Sequence, residues 1–320
     1  MKRHRILSLC LALSTVIATP MIATAEPATT AAPWIHTLAQ YPDTLTDVTD
    51  VTSKALGYSV PVALIKAPTP GAPTIYLLNG AGGGEDDLNW ITQTNLIDFY
   101  RDKNVNVVIP MAGAFSYYTD WQTPGNPQGR GAGAWETFLI HELPAHVEPA
   151  LHASEKRAII GMSMSATSAA NLATRNAGFY TAMASLSGCA ETTSVIGRAA
   201  VAATLRRGGQ TPTAMWGPWW AENSRAHDPT LHAEALKNTT VYLSSGTGIP
   251  WFDDTMFAPK FSDMNAVDAA LTSAGIMTEG SAIEAVSMLC TLRYSRALNK
   301  AGVEHKLNIN PVGTHQWAYW

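Results

Sequence analysis

The chain has 320 residues, 46% of them apolar, with 21 Lys and Arg against 25 Asp and Glu for a formal charge of −4. That is ample apolar material for a large core, and without a basic stripe nucleic acid is not an expected partner. Beyond the first residues, no apolar run is long enough to span a bilayer.

Lys2, Arg3, His4 and Arg5 form a basic n-region, residues 6–17 a short apolar h-region, and Ala23-Thr24-Ala25 a small-x-small cleavage site. The pattern predicts a secretory signal peptide over 1–25, cleaved before Glu26. Pro20 follows the apolar stretch too closely for a membrane span, and Cys10 lies too early to be a lipidated cysteine. Loss of Lys2, Arg3 and Arg5 takes the charge from −4 to −7. Residues 26–33, rich in Ala, Thr and Pro, are expected to be flexible, and 34–320 to form a single catalytic domain. The mature chain keeps Cys189 and Cys290. Two cysteines in an exported protein point to one disulfide, with two buried thiols as the alternative.

Apolar, β-branched runs predict strands over 59–67, 74–78, 105–110, 157–161, 182–187, 240–245 and 306–311. Helical patterns fall between most of them, over 95–100, 135–151, 165–176 and 281–301. The alternation predicts an α/β protein with a mostly parallel central sheet and helices on both faces. Catalytic groups of such sheets sit at the carboxyl ends of the strands. Two stretches read as insertions over that end: 112–134, rich in Gly, Tyr and Pro, and 190–226, with Met215, Trp216, Trp219 and Trp220. Exposed aromatic rings there would suit an apolar chain or a sugar; ordinary loop packing is the alternative.

Gly161-Met162-Ser163-Met164-Ser165 joins the strand at 157–161 to the small-residue helix that follows. It reads as a nucleophile elbow, a sharp turn that lifts the Ser163 hydroxyl above the sheet. A serine needs a base within hydrogen-bond reach, and the base needs an orienting carboxylate. In this architecture the chain order is serine, acid, histidine, and His315 follows the last predicted strand. His227 and His232, beside charged residues, read as solvated. The acid candidates are Asp253 or Asp254, after the strand at 240–245, and Glu284, at the start of the 281–301 helix; spacing alone does not choose between them. An oxyanion hole needs two backbone N–H groups. Met164 is expected to give one, and the glycine run after the strand at 74–78, Asn79-Gly80-Ala81-Gly82-Gly83-Gly84, the other. No metal-ligand motif is present, and no metal or cofactor is expected.

From about residue 75 onward the chain resembles the mycolyltransferases of corynebacteria and mycobacteria, the antigen 85 type, within the esterase D group of α/β-hydrolases. The resemblance rests on Tyr76-Leu77-Leu78-Asn79-Gly80, Glu85-Asp86-Asp87, the run from Ser116 to Trp121, and Trp135-Glu136-Thr137-Phe138-Leu139. It continues through Glu142-Leu143-Pro144, the elbow itself, Met215-Trp216-Gly217-Pro218, and Gly313-Thr314-His315-Gln316-Trp317 onward to Trp320. It implies the α/β-hydrolase fold and a double displacement in which Ser163 takes a mycolyl group from trehalose monomycolate. The group then passes to a second trehalose monomycolate, to arabinogalactan, or to another envelope or protein hydroxyl.

The resemblance also assigns roles. It selects Glu284 as the acid, places the second oxyanion N–H on Ala81, and makes Trp317 a sugar-pocket residue. Asn79 and Gly82 occupy the places of an Asp and an Arg that contact trehalose, consistent with a changed acceptor. The family continues past the histidine loop into a helix over the sheet, whereas this sequence stops at Trp320, implying truncation or an exposed apolar face. A bond between Cys189 and Cys290 would anchor the helix that holds the acid. The expected product is a secreted envelope acyltransferase. A secreted carboxylesterase or lipase, with water as acceptor, is the runner-up, and a non-catalytic binding module the third reading, opposed by intact Ser163, Glu284 and His315.

Overall fold

The computed structural model describes residues 32–123 and 133–320. The signal peptide, all but the end of the flexible 26–33 segment, and part of the 112–134 stretch lie outside the described residues. Eight strands form one sheet: β1 (Thr46–Thr52), β2 (Ser59–Ile65), β3 (Thr74–Leu78), β4 (Asn106–Pro110), β5 (Arg157–Met162), β6 (Ala182–Leu186), β7 (Thr240–Ser245) and β8 (His305–Ile309). The spatial order is β1-β2-β4-β3-β5-β6-β7-β8. In that order the strands from β4 to β8 run parallel; β2 is antiparallel to both of its neighbours, β4 and the edge strand β1. Five α-helices of eight residues or more accompany them: α1 (Leu143–Ala150), α2 (Met164–Arg175), α3 (Val195–Arg207), α4 (Ala266–Gly275) and α5 (Ser281–Ala301).

The strand sequences show why both faces are covered. Val62, Leu64, Tyr76, Leu78 and Val108 enter one apolar cluster with Trp135, Phe138, Ala169 and Leu298. Their alternate neighbours Ala63, Ile65, Leu77, Val107 and Ile109 enter a second cluster with Trp34, Trp90 and Leu96. A period of two that is apolar at both phases is the mark of a strand buried on both sides. This is the mostly parallel α/β sheet that the strand and helix pattern predicts, and the α/β-hydrolase architecture that the resemblance implies.

Three elements differ from the sequence reading. The edge strand β1, Thr-Asp-Val-Thr-Asp-Val-Thr, is mostly exposed and so lacks the continuous apolar signal; its aspartates suit an edge that must not pair further. The 190–226 stretch is not a plain insertion, because it contains α3, whose Ser194 side chain caps Gly197 N–H. The predicted 135–151 helix is interrupted by a π-helical turn over Phe138–Glu142 just before Pro144. Proline has no N–H to continue an α ladder there.

Candidate active site

Ser163 joins β5 to α2 with φ 56° and ψ −121°, a left-handed conformation that a non-glycine residue rarely adopts. Its N–H donates to Leu186 O on β6 at 2.8 Å, which pins the turn to the neighbouring strand. Gly161 is obligatory, since a Cβ there would lie 2.0 Å from Ser165 O. Ser165 also has a definite task. Its buried hydroxyl accepts from Met162 N–H at 2.9 Å and lies 2.9 Å from Leu78 O, stitching the elbow to β3 in a way a fifth-position glycine would not.

The loop after β8 brings His315 to the elbow from the other end of the sheet. His315 Nε2 lies 2.7 Å from Ser163 Oγ, and His315 Nδ1 lies 2.7 Å from Glu284 Oε2. A carboxylate accepts, so Nδ1 carries the proton and Nε2 presents its lone pair to the serine hydroxyl. Glu284 is fully buried in the first turn of α5. Its Oε1 accepts from Ser187 Oγ at 2.6 Å, Ser245 Oγ at 2.9 Å and Gly246 N–H at 2.6 Å. Burial alone would raise the Glu284 pKa; the His315 hydrogen bond and charge, with Ser187 and Gly246, outweigh it and hold the carboxyl below its ordinary value. Asp254 is equally buried but serves elsewhere. It accepts from Thr314 Oγ1 at 2.6 Å, Tyr319 Oη at 2.8 Å and Trp251 N–H at 2.8 Å, bracing the loop on either side of His315. Asp253 makes no contact with the imidazole among the described bonds.

Ala81 and Met164, expected to supply oxyanion N–H groups, both line the cleft beside Ser163 and His315. Met164 opens α2, where the first N–H groups have no intrahelical partner. The glycine loop is shaped by close approach: Gly83 has φ +67°, and a Cβ there would lie 2.3 Å from Ala114 N. Glu85 clamps the same contact by accepting from Gly113 and Ala114 N–H at 3.0 Å each.

The expected sugar contacts fare differently. Asn79 is completely buried, its amide committed to Pro110 O at 3.1 Å and Trp90 N–H at 3.2 Å. It builds the loop from below and presents nothing to a ligand, which corrects the expectation for it. Gly82 packs against Asp86. Trp317 is half-buried between Trp90, 5.4 Å away, and Trp320, 5.6 Å away, and is not among the residues lining the cleft. The indole against the imidazole is that of Trp320, 4.8 Å from His315 and donating to Ser187 Oγ at 2.9 Å. Trp320, Ser187 and Ser245 were not singled out from sequence. The two serines had a usable signal, since each stands at the carboxyl end of a strand.

The cleft has a volume of about 780 Å³. Ile196, Ala199 and Ala203 of α3 form one apolar wall and Ile283 and Val286 of α5 the other. Cys189 and Cys290 are bonded to each other, tying the loop after β6 to α5 six residues beyond Glu284. On the opposite side of α3, Arg198 and the exposed Trp219 and Trp220 line a separate cleft of about 370 Å³. Met215 and Trp216 are core residues.

His227 corrects the sequence reading. It is 2% exposed, stacked on Trp216 at 5.0 Å, with Nδ1–H donating to Asn223 O at 2.7 Å. Burial, with the Arg175 charge, lowers its pKa from 6.5 to about 4. The folded-state pKa lies below the unfolded one, so the stabilisation is complete above pH 6.5 and is lost as pH falls toward 4. The expected loss is about 3 kcal/mol over that window. Denaturant titration of wild type and His227→Phe from pH 7 to pH 4 should show their stability difference shifting by that amount; a constant difference would refute it.

The esterase family model matches residues 53–320. The "Diacylglycerol acyltransferase/mycolyltransferase Ag85B" of Mycobacterium avium is 30% identical over 258 residues, covering 78% of this chain and 72% of the relative. The protein of that name from Mycobacterium leprae (strain TN) is 29% identical over 276 residues, covering 84% and 78%. Among solved structures, Mycobacterium tuberculosis MPT51 (FbpC1) superposes with a TM-score of 0.68 at 25% identity, over 86% of this chain and 93% of that one. The Staphylococcus aureus serine hydrolase FphF superposes at 0.61 with 14% identity, over 86% and 93%, a likeness of fold alone.

Proposed function

This chain belongs to the antigen 85-type group of the esterase family, and on that premise we propose that it is an exported serine acyltransferase of the cell envelope. Membership makes it an acyl-transferring enzyme of the mycolyltransferase and esterase type; the residues and steps are our reading. Ser163 Oγ attacks the ester carbonyl of trehalose monomycolate while His315 Nε2 takes its proton. The tetrahedral oxyanion is held by the Ala81 and Met164 N–H groups. Collapse breaks the ester C–O bond, His315 returns the proton to the departing trehalose hydroxyl, and the mycolyl group stays on Ser163. An acceptor hydroxyl, on a second trehalose monomycolate, arabinogalactan or a protein, gives its proton to His315 and takes the acyl group, restoring the serine. Glu284 keeps the imidazole in the required tautomer and balances its charge while it is protonated.

The observation that carries this reading is the unbroken Ser163–His315–Glu284 hydrogen-bond chain opening into an apolar-walled cleft. Export rests on the signal-peptide pattern. Among the described residues no helix is long and apolar enough to cross a membrane.

Product partition tests the reading. With trehalose monomycolate and arabinogalactan both supplied in water, we expect trehalose dimycolate or mycolylated arabinogalactan as the main product, absent with Ser163→Ala. Free mycolic acid as the only Ser163-dependent product would replace the transferase with a carboxylesterase or lipase.

A further inference from the structure

Nine of the eighteen exposed large apolar residues among the described residues lie between 249 and 286. Ile249, Trp251, Phe252, Phe257, Val267 and Leu271 are between 54% and 77% exposed. Helix α4 is inverted relative to an ordinary surface helix. Its buried residues are the small Ala269 and Ser273, while Val267 and Leu271, four apart and so on one face, point outward. Patches of this kind mark contact surfaces.

The patch is tied to the active site on two sides. Gly248, where the segment departs, packs so closely on α5 that a Cβ there would lie 2.5 Å from Ser281 O. Asp254, inside the segment, holds Thr314 and Tyr319 through its carboxylate and Ser273 of α4 through its carbonyl. Ile283 and Val286, both more than a third exposed, also line the Ser163 cleft, on the helix α5 that follows the segment in the chain.

We propose that the 249–271 segment docks this protein on a lipid bilayer whose surface is uncharged, and that the acyl donor enters the cleft from that bilayer. The proposal rests on the acyl-transfer reading for its purpose, and on the exposed apolar side chains for its existence. The apolar walls that Ile196, Ala199, Ile283 and Val286 give the cleft suit an acyl chain, and a bilayer is the occupant of the patch that supplies one. Trp and Phe beside an apolar helix face are the side chains that settle at a bilayer interface. Charge selects the kind of bilayer. Apart from the buried Asp254, the segment 249–271 carries Asp253, Asp263 and Asp268 against Lys260 alone, in a chain of net charge −4, so anionic headgroups repel it.

The test is co-sedimentation of the full-length mature protein with phosphatidylcholine vesicles, compared with the variant Phe257→Ser/Leu271→Ser. Both positions are exposed, so the fold should be unaffected. We expect wild type to partition onto the vesicles with a blue shift of tryptophan emission. The variant should partition at least tenfold less, with unchanged hydrolysis of water-soluble p-nitrophenyl butyrate and about tenfold slower turnover of a vesicle-embedded long-chain ester. No partition of wild type, equal partition of the variant, or tighter binding as phosphatidylglycerol is added would overturn the proposal. So would a dimer in sedimentation velocity that the variant abolishes, which would make a second copy the occupant. Failure of wild type to hydrolyse p-nitrophenyl butyrate would count against the acyl-transfer reading alone, since vesicle partition is read independently of turnover.

Discussion

Ser163→Ala should lower both acyl transfer and ester hydrolysis by roughly four to six orders of magnitude while leaving the fold intact. Alanine keeps the Cβ, and the left-handed backbone at φ 56° is imposed by its surroundings: Gly161 against Ser165 O, and the Ser163 N–H bond to Leu186 O. Among the described residues, the interaction lost is the hydroxyl's bond to His315 Nε2 at 2.7 Å. A fluorophosphonate probe should therefore label wild type stoichiometrically and the variant not at all, with melting temperatures that nearly coincide. Labelling that survives in Ser163→Ala would assign the nucleophile to another residue. Labelling absent from both proteins would revive the reading of a non-catalytic binding module.

The elbow was legible because its determinants are local. A strand, a glycine with no room for a side chain, and a helix of small residues lie within a few positions of Ser163. The strands buried on both faces were legible for a related reason, since an apolar residue at both phases of the pleat leaves a run such as Val107-Val108-Ile109. What the sequence left open depends on contacts between distant segments. Asp254 and Glu284 both follow β7 and both precede the histidine, and each is a fully buried carboxylate. Spacing does not decide which one meets the imidazole, and the choice of Glu284 rests on the family resemblance; in the packing Glu284 faces His315 while Asp254 braces Thr314 and Tyr319. His227 looks solvated beside charged neighbours, yet Trp216 covers it. Trp317 and Trp320 stand three residues apart on one short turn, and the indole that reaches His315 is the one that bonds Ser187, in the loop just after β6. Helix α3 is a different case. Ser194 as a cap, an alanine-rich body and Arg206-Arg207 in its last turn are ordinary helix signals, masked by the aromatic residues that follow.

Glu284→Gln should reduce turnover by roughly 10⁴-fold, and the hydrogen bonds around the carboxylate say why an isosteric change is so damaging. Gly246 N–H, 2.6 Å from Oε1, is a fixed donor and requires an acceptor, so the glutamine must place its carbonyl oxygen there. Its NH₂ then faces His315 Nδ1, where the wild-type carboxylate accepts at 2.7 Å. Two donors cannot share that contact, so the imidazole proton moves to Nε2, the nitrogen that faces Ser163 Oγ, and the base is lost. In the wild type the carboxylate accepts at that contact instead. Because the Glu284 carboxyl sits below its ordinary 4.5, it is ionised above that pH and gives up its charge only as pH falls lower. Asp254→Asn is the control that separates orientation of the base from support of its loop. It removes one acceptor from a buried cluster, costing about 1–3 kcal/mol of stability, but leaves the imidazole facing Glu284. Its kcat should therefore fall far less than that of Glu284→Gln. The reverse ranking, severe loss in Asp254→Asn with a mild effect of Glu284→Gln, would move the orienting role to Asp254 and require His315 to turn toward it during turnover.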